Sequence, residues 1–191
     1  MSRLRVAAIV EGQGELDCIG ILLRRIWSDL VGGDYIDVKS VRQMRSRLYN
    51  GEIVNQDGIR RAVGLAYEKL QLMPFPDDPA LVLILIDADD DKPCELGPKL
   101  LRAAQVSHSH IRVACVVANV EYETWFVAAA ESLADFLELS AGFPGVSDPE
   151  GSRLKKGWVD ERFRDGSYSE TIHHVGSFRP YRLHDPLRIL P

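Results

Sequence analysis

Leu81-Val82-Leu83-Ile84-Leu85-Ile86-Asp87-Ala88-Asp89-Asp90-Asp91 is the stretch around which the chain organises itself. Its apolar half is unbroken, is bounded upstream by Pro79, and gives way to four carboxylates within five positions. An uninterrupted apolar run of this length is the pattern of a strand covered on both faces, as in a parallel sheet flanked by helices. Ligands of open α/β sheets sit beyond the carboxyl ends of the strands, so these acids emerge where a site is expected. Crowded carboxylates repel one another unless protonated or bridged by a cation. A divalent cation, magnesium or manganese, held in part by Asp87 and Asp89 is the working expectation.

Upstream, Leu4 to Val10 reads as a short buried strand that stops at Glu11-Gly12-Gln13-Gly14-Glu15. From Leu16 to Leu30, apolar residues recur at spacings of three and four, which predicts an amphipathic helix ended by Gly32-Gly33. Tyr35 to Val41 alternates as a second strand, followed by a basic stretch with Arg42, Arg45 and Arg47. Asp57 is placed to cap a second helix running to about Leu72, and Pro74, Pro76 and Pro79 force an extended approach to the central strand.

Downstream, Pro93 to Gln105 reads as a third helix and Ile111 to Ala118 as another strand buried on both faces. Asn119 is placed to cap a fourth helix from about Val120 to Leu137. Strand and helix alternate four times, which predicts βαβ units with right-handed crossovers in a mainly parallel, Rossmann-like four-stranded sheet. Residues 1–140 form the expected α/β domain. Beyond Ser140 the glycines and prolines imply an irregular C-terminal appendage, residues 141–191, packed on the same domain.

The 191-residue length suffices for one buried core, and a hydrophobic fraction of 46% with 27% charged residues is that of a globular protein. The longest apolar stretch falls far short of the roughly 20 residues of a membrane span, so a cytoplasmic location is expected. Three widely spaced cysteines, Cys18, Cys94 and Cys115, fit neither a disulfide framework nor a zinc site and read as buried thiols. The net charge of −5 argues against coating nucleic acid by bulk electrostatics, but not against an enzyme that acts on it through a metal and a few local cations.

In a parallel sheet, the turns that follow the strands meet at one edge. Glu11, the Asp87 group and the Glu121/Glu123 pair would then converge from three parts of the chain, and oxygen ligands of this kind suit magnesium or manganese rather than zinc. Asp87 and Asp89, two apart on an extended chain, would point the same way. Asp90 and Asp91 read better as acids favoured ahead of the helix at Pro93. Glu121 and Glu123 read equally as ligands or as first-turn acids. Neither a Walker loop nor a dinucleotide fingerprint is present, because Gly12-Gln13-Gly14 is followed by Glu15 and the next glycine is Gly20. Adjacent His173 and His174 read as surface residues, and Trp125 as a buried anchor of the fourth helix.

Val10-Glu11-Gly12 with Glu15, then Asp87-Ala88-Asp89 at the end of a later apolar strand, resembles the Toprim domain of topoisomerases, primases and overcoming-lysogenization-defect nucleases. Glu121-Tyr122-Glu123-Thr124-Trp125-Phe126 resembles the Toprim-like family encoded beside AAA-type ATPases in prokaryotic defence neighbourhoods. The similarity spans about residues 3 to 137. It implies a metal site in which Glu11 matches the family's glutamate, Asp87 and Asp89 its DxD pair, and Glu15 and Glu123 additional acids of the nuclease-like branch.

The implied activity is metal-dependent phosphodiester hydrolysis by activated water, since no tyrosine is placed as a transesterification nucleophile. A nucleic acid or phosphoester substrate, an AAA-type ATPase partner and a homo-oligomer are compatible with it. Lys156 is the first choice for a transition-state cation, with Arg42, Arg45, Arg47, Arg153 and Lys155 as further basic groups or a solvated charged face. Two other classes stay open: a regulatory or binding module that keeps the metal site, and a sugar-nucleotide transferase using a DxD metal pair.

Overall fold

Parallel pairing joins four strands, β1 (Arg3–Val10), β2 (Tyr35–Arg42), β3 (Ala80–Asp87) and β4 (Val113–Ala118), into one sheet of order β2-β1-β3-β4 in the computed structural model. The structure describes residues 2–129, 146 and 148–151. Helices α1 (Gln13–Arg25), α2 (Gln56–Gln71) and α3 (Pro93–Ser107) connect the strands, and a short α4 (Thr124–Ala128) follows β4. The expected parallel α/β sheet flanked by helices is therefore present. The proposed appendage falls almost entirely outside the described residues, as does the remainder of the fourth predicted helix.

The chain leaves β1 toward β2 on one side and returns through α2 to β3 on the other. Right-handed crossovers in opposite directions place their helices on opposite faces. The two cores follow this division. Alternate strand residues Ala7, Ile9, Val82, Ile84 and Ile86 pack with Ile59, Val63 and Ala66 of α2 and Leu96 and Leu100 of α3. The intervening residues Val6, Ala8, Val10, Leu83 and Leu85 pack with Cys18 and Ile19 of α1 and with Tyr122, Phe126 and Val127 around α4. Full burial of each large aliphatic side chain contributes about 1.5–3 kcal/mol, which is why β3, buried from Val82 to Ile86, anchors the fold.

Register aligns the strand ends. Val10 lies opposite Arg42, and Asp87 opposite Ala118. The strand order reverses between β1 and β3, so the crevice beyond Val10 and Asp87 is the switch point at which doubly wound sheets bind ligands.

Several local expectations are corrected. Asn55, not Asp57, caps α2, its Oδ1 accepting from the Gly58 N–H at 2.9 Å. The first helix begins earlier than its apolar period and closes as a π-turn over Ile26–Val31 that ends at Gly32, whose φ of +72° requires a residue without Cβ strain. Helix α3 has Lys92 at its N-cap with no side-chain cap, so Asp90 and Asp91 do not cap it. Strand β4 is less covered than its apolar pattern implies, Val116 being 40% exposed. All three cysteines are free, but Cys94 is exposed rather than buried.

Candidate metal centre

Each proposed acid stands just beyond a strand or at the start of the helix that follows. Glu11 leaves β1, Gly12 is the N-cap of α1, and Glu15 lies in that helix's first turn. Asp87 is the last residue of β3. Glu123 occupies the N-cap position of α4 and is 5% exposed, with the following Thr124 donating from Oγ1 to the Asn119 carbonyl at 2.7 Å. Strand alternation turns Asp87 toward the α1/α4 face, where Glu15 and Glu123 also belong.

The electrostatics of Asp87 reflect these neighbours. Burial pushes the Asp87 carboxyl up to about 8, and the negative charges of Glu15, Glu123, Glu11 and Asp89 add to the effect. The four other acids named from the sequence thus all act on Asp87. Glu11 is also raised, first by burial and then by Asp89, while a hydrogen bond from the Arg45 backbone N–H and the Arg45 charge oppose the rise.

Asp89 departs from the extended-chain expectation. Its φ of +52° lies in the left-handed region, and its N–H donates to the Val120 carbonyl at 2.8 Å. The chain has therefore already turned, and strict alternation does not place Asp89 beside Asp87. Asp89 instead pairs with Arg45 at 3.2 Å.

Arg45 is the residue whose role the sequence concealed. It begins the 3-10 turn Arg45–Arg47 after β2, and its side chain is 14% exposed rather than solvated. Its Nε donates to the Asp87 carbonyl at 3.2 Å and one terminal nitrogen to the Ala88 carbonyl at 3.1 Å. The same nitrogen pairs closely with Asp91. Tyr49, whose ring lies 5.3 Å from the guanidinium carbon, reaches Asp91 Oδ1 at 3.2 Å and the Gly51 carbonyl at 2.7 Å, its single proton serving one at a time. The signal available in the sequence was an arginine in the turn after the strand adjoining β1.

Two observations test the fit of a divalent cation. Glu11 Oε2 and Glu15 Oε2 are buried without a hydrogen-bond partner among the described residues. Buried carboxylate oxygens are costly unless a proton, donor or cation meets them, and an all-carboxylate donor set suits magnesium or manganese. Among the described residues, however, no three His, Cys, Asp or Glu side chains are drawn together tightly enough to hold an ion. Like charges without a cation between them stand apart, and Arg45 draws Asp89 to itself. The donors fit the ion in chemical type, but among the described residues they do not form a closed ligand set. Lys156 lies outside the described residues, as do Arg153, Lys155, His173 and His174.

No family model matches the chain, and no curated protein matches it significantly. Among solved structures, the chain is similar to the C-terminal region of the Burkholderia pseudomallei OLD protein, with 18% identity and a TM-score of 0.36 over 91% of this chain and 86% of that one. A likeness of that extent carries no functional argument, and the fold rests on the strand order and register given above. No helix among the described residues is long and apolar enough to cross a membrane.

Proposed function

We propose that this protein is a divalent-metal-dependent phosphodiesterase of nuclease type whose metal is held by Asp87 and Glu11, with Glu15, Asp89 and Glu123 completing the acidic surround. The observation that carries this reading is the pair of buried carboxylate oxygens of Glu11 and Glu15, unpartnered among the described residues, at the switch point where Asp87 ends β3, with burial and the neighbouring acids raising the Asp87 carboxyl. A site that concentrates buried negative charge at a ligand-binding crevice favours a multivalent cation. The resemblance of Glu11-Gly12, Glu15 and Asp87-Ala88-Asp89 to Toprim nucleases supports the same assignment.

A bound magnesium or manganese ion supplies charge stabilisation to the phosphoryl group and lowers the pKa of a coordinated water. The chain's own residues prepare for that chemistry. Asp87 carries a proton at neutral pH in the metal-free protein and gives it up when positive charge arrives. Arg45 fixes the direction of Asp87 by holding the main-chain carbonyls of residues 87 and 88. Glu123 is held in place by burial at the start of α4. Lys156 completes the proposal as the cation beside the transferred phosphoryl group, and an AAA-type ATPase partner in prokaryotic defence is its proposed setting.

The alternative is a binding module that keeps the metal site and acts through a partner, favoured by the absence of a closed ligand set among the described residues. The test is cleavage of labelled DNA and RNA with magnesium or manganese by the wild type, Asp87→Asn and Glu11→Gln. Metal-dependent cleavage lost in both variants supports the enzyme. Metal binding without cleavage until the ATPase is added supports the module, and cleavage unchanged in both variants removes this site from either role.

A further inference from the structure

A second feature lies on the other side of the segment that carries Arg45. A cavity of about 500 Å³ opens between the end of β2 and the start of α2, lined among others by Arg42, Arg47 and Arg61. Asp57 also lines it, but that carboxylate is already engaged by Arg60 at 3.0 Å. No ion pair among the described residues involves Arg42, Arg47 or Arg61. A chain with net charge −5 thus concentrates three unneutralised guanidiniums around one concave surface.

The start of α2, where Asn55, Asp57 and Gly58 line the cavity, adds donors beside this charge. Asn55 satisfies the Gly58 N–H, and the Asn55 carbonyl accepts from Ile59, while the N–H groups of Gln56 and Asp57 have no acceptor among the described residues. They belong to the first turn of a 16-residue helix, where the macrodipole favours an anion. Gly58 lets the Arg47 carbonyl pack directly on this turn, because a Cβ there would collide with it. The cavity is joined to the acid cluster by one residue: Arg42 lines it and donates from Nε to the Glu11 carbonyl at 3.3 Å.

We propose that the cavity bounded by Arg42, Arg47 and Arg61 binds a backbone phosphate of the nucleic-acid strand, one flanking the phosphodiester at Asp87. Guanidinium forks match phosphate oxygens in pairs, and three around one cavity recognise the phosphate without reading a base. The division of labour follows the chain: Arg45 faces inward to the acids, while Arg42 and Arg47 on either side of it face the strand. The idea rests on the nuclease reading for its choice of strand, while phosphate recognition stands on the cavity alone.

The experiment measures binding of a labelled duplex oligonucleotide to the full-length protein by anisotropy in calcium, for the wild type, R47Q/R61Q and R47K/R61K, across a salt series. The expected result for R47Q/R61Q is affinity weakened by roughly tenfold for each arginine and a log–log salt slope shallower by about 0.9, the change for one phosphate no longer neutralised. R47K/R61K keeps the slope and recovers part of the affinity, which separates the effect of charge from an effect on folding. D87N enters only the parallel cleavage assay, because Asp87 belongs to the proposed metal site. Equal binding by R47Q/R61Q and the wild type overturns the subsite even if D87N abolishes cleavage. Weakened binding by R47Q/R61Q supports the subsite even if no cleavage occurs and the nuclease reading falls. Competition by inorganic phosphate at the arginines, with oligonucleotide binding indifferent to them, overturns the strand in favour of a small phosphate.

Discussion

The guanidinium of Arg45 stands 3.2 Å from the carboxylate of Asp89 and, through Nε, equally far from the main-chain carbonyl of Asp87. The turn after β2 is thereby locked to the turn after β3, 42 positions later. The proposed ligands consequently lie beside a positive charge belonging to the fold, and Asp89 is paired with it.

Arg45→Gln should destabilise the protein by about 2–4 kcal/mol, because it strips two carbonyls and the partly buried Asp91 of their donor. The exposed side of the Asp89 pair adds little to this figure. Arg45→Lys should recover only part of it, since one ammonium cannot reproduce the fork. Urea unfolding checks this, and a change below about 0.5 kcal/mol for Arg45→Gln contradicts the assigned role.

Asp87 gives the metal-free protein a definite pH dependence. Its folded pKa of about 8 lies above its ordinary 3.8, so the folded state keeps a proton that the unfolded chain has released. The stability from this group is complete below about pH 4, declines as pH rises and is gone above about pH 8. In chelator, Tm should fall by several degrees between pH 5 and pH 8, at roughly 2–4 °C per kcal/mol. Asp87→Asn should flatten most of that slope, with Glu11, raised in the same direction, leaving a remainder. A Tm that rises over this range in the wild type is the contrary result.

Gly12→Ala separates structure from ligation. Gly12 is extended, with φ −95°, so alanine is tolerated by the backbone, but its Cβ would collide with Glu15 Oε2. The Glu15 side chain must swing away, at a stability cost below about 1 kcal/mol because only a flexible end moves. Manganese affinity by calorimetry should nonetheless fall several-fold, and an unchanged affinity excludes Glu15 from the ligand set.

Arg5→Met provides the contrast at the opposite edge of the sheet. Arg5 is 6% exposed and donates to the carbonyls of Leu70, Pro76 and Asp78. Its loss should destabilise the fold by about 3 kcal/mol or more through those unpaired carbonyls. Manganese affinity of the folded variant should equal that of the wild type, and a large loss of affinity would mean that the two edges are coupled.

Periodicity made the fold legible. The unbroken apolar run of β3 and the three- and four-residue spacings of α1 and α2 are direct consequences of burial on two faces or one. Boundaries failed where a side chain had two possible employments: Asn55 rather than Asp57 took the cap, and Asp91 took Arg45 rather than the helix start. The places of the acids beyond the strand ends were legible because strand ends converge in any parallel sheet. Arg45 was not, because an arginine in a polar turn looks solvated until the adjoining strands are ordered. The left-handed turn at Asp89 was hidden for a similar reason, being set by the Val120 carbonyl of a distant loop.

A divalent cation is proposed to sit among Glu11, Glu15, Asp87, Asp89 and Glu123. An anomalous difference map from a manganese-soaked crystal at pH 8 tests it most directly. A peak within coordinating distance of the Asp87 carboxylate, lost in Asp87→Asn crystals, is the expected result. At saturating manganese, no peak beside Asp87, or one that persists unchanged in Asp87→Asn, contradicts it.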